Sequence, residues 1–165
     1  MSDRLKDQNN HFEKLLKLCL IFGIIVVSGF VIYFILTPEP GFIAYSILNE
    51  NQEAGNYPTK AVANETISFY LNVENHLNRE FMFGFKIKKG NEDTLLSSNN
   101  PSNGTLYQTI GNFSLNPNEF HIYGEYNISF SEVGEDQIII AELWQIKHEI
   151  ESFFIVHYLH LNITN

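Results

Sequence analysis

The chain has 165 residues and a formal net charge of −9, from 10 Lys and Arg against 19 Asp and Glu. That length holds one domain plus accessory segments. Its single cysteine, Cys19, excludes an intramolecular disulfide, so any globular part must stand on its apolar core alone.

Ser2 to Lys17 reads as a short amphipathic lead-in, with Phe12, Leu15, Leu16 and Leu18 at near-helical spacing. It runs into Leu18 to Leu36, "LCLIFGIIVVSGFVIYFIL", 19 residues without a charge. At about 1.5 Å per residue this covers roughly 28 Å, close to the hydrocarbon thickness of a bilayer. A cleaved signal peptide calls for a shorter apolar core and a small-residue cleavage site. Here Thr37-Pro38-Glu39-Pro40 follows instead. The expectation is a cytoplasmic segment 1–14, a retained transmembrane helix 15–37 that meets the lipid bilayer through Leu18 to Leu36, and an extracytoplasmic domain 38–165. Cys19 lies near the start of the apolar run rather than after it, which suits a packed helix residue and not a lipid-attachment site.

Orientation follows from the basic residues. Arg4, Lys6, Lys14 and Lys17 precede the run, and the next Lys or Arg is Lys60. The positive excess stays inside, which places the N-terminus in the cytoplasm. Residues 38–165 then hold six basic and sixteen acidic groups. Such a domain repels phosphate backbones, which excludes nucleic acid as a partner. It attracts cations or basic surfaces weakly and in a salt-dependent way.

After "TPEPGF", whose two prolines and glycine end the helix, nearly everything reads as period-two segments separated by turn residues. Strands are expected at Phe42–Leu48, Thr66–Glu74, Phe81–Lys88, Thr94–Ser97, Leu106–Leu115, Phe120–Phe130, Gln137–Ile146 and Phe153–Ile163. Ile67, Phe69, Leu71 and Val73 share one face of the second, and Phe81, Phe83, Phe85 and Ile87 one face of the third. Lys86 and Lys88 fall on the opposite face, with Met82 and Gly84. In Phe120–Phe130 the inward set is Phe120, Ile122, Tyr126, Ile128 and Phe130, with His121, Tyr123 and Glu125 outward. The fold class is all-β, an antiparallel immunoglobulin-like sandwich of about eight strands after one transmembrane helix. No Cys…Trp…Cys frame is present, so the likeness to an immunoglobulin domain is one of shape.

Five Asn-x-Ser/Thr sequons occur, at Asn64, Asn103, Asn112, Asn127 and Asn162, while Pro101 disqualifies Asn100. The strand phases put Asn127 and Asn162 outward, Asn64 and Asn103 in turns, and Asn112 opposite the inward Phe113. All five are glycosylation candidates on an exported domain. Metal or catalytic chemistry finds little support. His157 and His160 are three apart, which on a strand sends them to opposite faces. The acidic pairs Glu92-Asp93 and Glu135-Asp136 fall in turns without a calcium-loop pattern. No nucleophile elbow, phosphate loop or nucleotide fingerprint appears. The expectation is a non-enzyme with no cofactor and no metal.

Three stretches stand in an order that resembles an archaeal family, domain of unknown function 1616: "NYPTKAVANETISFYLNVENHLNREF", "SLNPNEFHIYGEYNISFSEVGEDQIIIAELWQ" and "FFIVHYLHLNIT". The resemblance spans Gly41 to Ile163 and rests on the register of Tyr57-Pro58-Thr59 against a Pro-x-Glu turn and an aromatic-rich closing strand. It implies a surface-facing, immunoglobulin-like domain with no assigned activity. "NHLNRE" replaces the family's usual glycine-containing turn, and one membrane helix stands where members often have several. Pro58 holds Tyr57 extended, leaving it free to cap the core. The reading that follows is an envelope interaction or assembly module with a protein partner. An accessory subunit of a membrane enzyme or transporter is the alternative, docking through its helix at Cys19-x-x-x-Gly23.

Overall fold

A computed structural model describes residues 2–37 and 41–165, with side chains from residue 12 onward. The expected helix break at Pro38-Glu39-Pro40 lies outside the described residues. The chain divides into two compact units, Met1–Pro40 and Gly41–Asn165.

The first unit is one helix, α1 (Ser2–Leu36), in which the lead-in and the apolar run are continuous. Its segment Phe12–Leu36 is long and apolar enough to cross a membrane. Large apolar side chains are exposed along that whole length, from Phe12 to Leu36. The last turn is closed by Thr37, whose N–H and Oγ1 both donate to the Tyr33 carbonyl, at 2.9 and 2.7 Å.

The second unit contains eight strands: β1 (Ile43–Leu48), β2 (Lys60–Val62), β3 (Ile67–Asn75), β4 (Phe81–Gly90), β5 (Thr105–Leu115), β6 (Phe120–Ile128), β7 (Gly134–Lys147) and β8 (Ile150–Thr164). They form a three-stranded sheet, β1-β3-β6, and a five-stranded sheet, β2-β8-β7-β4-β5. This is an immunoglobulin-like sandwich, as the sequence pattern implies. One pairing departs from the all-antiparallel expectation, because β2 runs parallel to the end of β8. The three-residue β2 is too short to carry a periodic signal, and it lies in what reads as a feed-in loop. The strand expected at Thr94–Ser97 is irregular chain instead, part of a loop from Asn91 to Gly104.

The alternation read in β3 is present: Ile67, Phe69, Leu71 and Val73 are buried and their neighbours are not. Phe81, Phe83, Phe85 and Ile87 of β4 meet them across the sandwich, each at most 1% exposed. Tyr57 packs at the rim of this core and donates from its hydroxyl to the Ile47 carbonyl at 2.7 Å.

β6 breaks its expected phase. Leu71 pairs with Tyr123 but Phe69 pairs with Tyr126, so β6 carries one extra residue at Gly124-Glu125. Gly124 supplies the φ of +131° that this bulge needs. The phase inverts across it. Tyr123 is therefore buried rather than outward, and Phe120 is 68% exposed rather than inward. Beyond the bulge, Tyr126 and Ile128 face in as expected. β5 carries a matching bulge at Gly111-Asn112, where Phe83 pairs with Phe113 but Phe85 with Ile110.

The inward series of β3 ends on a polar residue, Asn75, which is fully buried. Its Nδ2 donates to the carbonyls of Arg79, Leu115 and Asn116 at 2.9–3.1 Å, and its Oδ1 accepts from the Leu77 N–H. One side chain thus satisfies the backbone of both the β3–β4 and β5–β6 turns.

Candidate functional site on the outer face of the larger sheet

Residues paired directly across strands share a face. Lys86 pairs with Glu142, Gly84 with Trp144 and Lys88 with Ile140. Across the next boundary Glu142 pairs with Val156, Trp144 with Phe153 and Ile140 with Tyr158. These residues form the outer face of the five-stranded sheet, the side turned away from the sandwich core.

The sequence places Lys88 in water here. Instead it is buried, and so is Glu142. Lys88 Nζ lies 2.9 Å from Glu142 Oε1 and donates to the Ser102 carbonyl at 2.7 Å. The same Oε1 accepts from the Ser102 N–H and hydroxyl, at 2.7 and 2.8 Å. Glu142 Oε2 accepts from Trp144 Nε1 at 3.0 Å. The loop from Asn91 to Gly104 folds over the sheet and is held there through Ser102. Ile138 and Ile140 are buried on a face that would otherwise be solvated. A buried charge survives only when paired and hydrogen-bonded, and this pair is both.

Lysine, serine and glutamate together invite a catalytic reading, which the geometry opposes. Lys88 bonds the Ser102 backbone, not its hydroxyl, and that hydroxyl spends its proton on Glu142. Ser102 is also buried. An activated nucleophile needs a base on its hydroxyl and access for a substrate. The arrangement is a clamp.

Beside the clamp the face is open. Lys86 Nζ sits 3.7 Å from the Trp144 ring centroid and donates to Glu151 Oε2 at 2.6 Å. Phe153 meets the Trp144 ring edge-on at 6.0 Å, and Tyr158 is 45% exposed. Where the loop ends, a cleft of about 390 Å³ lies between Lys89, Asp93, Asn103, Phe130, Glu132 and Gln137.

No family model matches the chain, and no curated protein does. Among solved structures, the CARDB domain of a Pyrococcus furiosus protein, in complex with di-metal ions, is similar over 78% of this chain and 93% of that one. The identity is 15% and the TM-score 0.49. A likeness of that size adds nothing to the strand topology described above.

Among the described residues the histidines stay apart. His157 faces the core edge, its ring 5.3 Å from that of Tyr45. His160 is exposed on the other face, 3.7 Å from Asp136. Among the described residues no three His, Cys, Asp or Glu side chains gather as a metal site. Burial lowers the His157 pKa, partly offset by a hydrogen bond with the Tyr45 backbone. Its charged form is therefore better tolerated in the unfolded chain, and stability declines as pH falls below the ordinary value of 6.5. Thermal unfolding followed from pH 7.5 to 5.5 is expected to show this decline, and His157→Gln to flatten it.

The sequon asparagines do not converge. Asn64, Asn103, Asn112 and Asn127 are exposed, whereas Asn162 is half-buried beside β2. Three of the amide oxygens accept hydrogen bonds: Asn103 from the Leu95 N–H, Asn127 from the Ser68 hydroxyl and Asn162 from the Asp136 N–H.

Sequence reasoning missed the clamp because nothing in β4 distinguishes Lys88 from Lys86. A signal was present in β7, where "IIIAELW" surrounds Glu142 with apolar residues on both faces. A strand buried on both sides reads in that way.

Proposed function

We propose that the protein is a membrane-anchored, outward-facing and non-catalytic β-sandwich that serves as an interaction or assembly module of the cell envelope. α1 supplies the anchor, and its basic N-terminal flank supports a cytoplasmic start. The resemblance to the archaeal domain of unknown function 1616 family belongs to the same reading and supports the outward placement.

The observation that carries the interaction role is the open half of the outer face. Trp144, with Lys86 above its ring and Phe153 at its edge, is the kind of aromatic and cationic cluster on which protein interfaces concentrate their energy. Glu142 holds the Trp144 ring by accepting from its indole N–H. The partner expected is a protein of the envelope.

A photo-crosslinking residue at position 158, exposed on the same face and leaving Trp144 intact, should give one discrete larger product when the full-length protein is irradiated in native membranes. The same residue at Ile25 in α1 should give none. Product at Ile25 alone would favour the accessory-subunit alternative, in which the helix docks. No product at either position would overturn the interaction role.

A further inference from the structure

A sandwich of two open sheets has four edge strands, here β1 and β6 in one sheet and β2 and β5 in the other. Unpaired edges invite strand addition from other chains, and proteins blunt them by shortness, charge or bulges. β1 and β2 are short, at six and three residues. β6 has nine residues and β5 eleven. β5, "TLYQTIGNFSL", contains no charged residue and is exposed along most of its length. It is long, uncharged and rich in strand-forming residues, which is the profile of a pairing hazard.

The two long edges share a pattern that the short edges lack. Each carries a bulge and a sequon: Gly111-Asn112 with Asn112-Phe113-Ser114 on β5, and Gly124-Glu125 with Asn127-Ile128-Ser129 on β6. Asn112 has a φ of +69°, a left-handed conformation that asparagine tolerates better than most residues. Both asparagines are exposed. Neither amide nitrogen donates a hydrogen bond to another described side chain or carbonyl; the Asn127 contact uses its oxygen. The atom that would receive a sugar is free in both.

We propose that Asn112 and Asn127 carry N-linked oligosaccharides that close the two long edges of the sandwich to strand addition. The donor class is an oligosaccharide on a lipid-linked phosphate. Transfer forms a bond between the asparagine Nδ2 and C1 of the first sugar and breaks the C1–O bond to phosphate. The lipid phosphate leaves, and the amide gives up one proton to the transferase. A bulky hydrophilic group on an edge strand prevents a second chain from approaching within the ~4.8 Å that strand pairing requires. This inference rests on the outward-facing reading.

The test uses full-length protein purified from its own membranes in neutral detergent. Glycopeptide mass spectrometry should find sugar on Asn112 and Asn127. Ser114→Ala with Ser129→Ala removes both sequons and leaves both asparagines in place, so the left-handed position is not strained. That variant should shift from monomer toward dimers and larger species by light scattering, with a self-association constant at least tenfold above wild type. Ser114→Thr with Ser129→Thr keeps both sequons and should match the wild type. Asn112→Gly with Asn127→Gln removes both sugars yet keeps the bond that the Ser114 hydroxyl donates to Glu80, and should associate as the alanine pair does. Bare asparagines at either position would overturn the proposal, and so would a sugar-free variant that stays monomeric. Bare asparagines on a domain that labels from outside the cell defeat this inference alone; a domain that labels only from within defeats the outward-facing reading as well.

Discussion

Glu142→Ala is expected to cost the sandwich about 3–5 kcal/mol, because it leaves the Lys88 ammonium buried without its counter-charge. The Glu142 side chain is fully buried and accepts from Lys88, Ser102 and Trp144, so no water shell replaces what is lost. Denaturant unfolding measures the loss. The loop from Asn91 to Gly104 should become the first site of protease cleavage, since Ser102 holds it to the sheet. A double replacement, Lys88→Met with Glu142→Leu, should recover more than half of the lost stability, because it removes both charges together. Strictly additive losses would show that the two residues do not act as a pair. The loop should stay protease-sensitive even in the double variant, because the Ser102 N–H no longer has its acceptor.

Phe85→Ala should cost about as much, roughly 3–5 kcal/mol, through a different cause. Phe85 is fully buried at the centre of the sandwich. Its ring lies 5.4–6.4 Å from those of Tyr45, Phe83, Phe113, Tyr123 and Tyr126. Those rings come from four further positions on β1, β5 and β6 as well as from β4, so both sheets lose a shared contact and cannot close on the space. Domains of this size are stable by about 5–15 kcal/mol, so the variant sits near the limit of folding without a disulfide to support it. Phe85→Leu keeps most of the volume and should lose well under half as much. Equal losses for alanine and leucine would mean that the aromatic contacts, not the filled volume, hold the two sheets together.

The sequence revealed those features that depend on strict alternation in a flat strand. β3 and the phenylalanine face of β4 are of this kind, since each side chain's fate follows from its neighbour's. Tyr57 was legible as a core cap because Pro58 restricts it. Tyr123 and Phe120 were not, because a single extra residue at Gly124 reverses the phase upstream of it. A lone glycine inside a strand pattern hints at such a bulge without saying which side of it keeps phase. Lys88 was illegible for another reason. Its burial is decided by Ser102, fourteen residues away in a loop that has no period of its own. The β2–β8 pair joins residues about a hundred positions apart, and no local pattern reports a contact of that kind. Of the sequon positions, Asn162 keeps its outward phase between the buried Leu161 and Ile163 but is only partly exposed.

The central claim is that one helix spans the membrane with the sandwich outside, and thiol labelling of intact cells tests it most directly. With Cys19 replaced by alanine, a single cysteine is introduced at Ser98, exposed in the clamped loop, or at Ser2. A membrane-impermeant maleimide should label Ser98→Cys in intact cells, and Ser2→Cys only after permeabilisation. Labelling of Ser2→Cys in intact cells, with Ser98→Cys reached only after permeabilisation, would contradict the account.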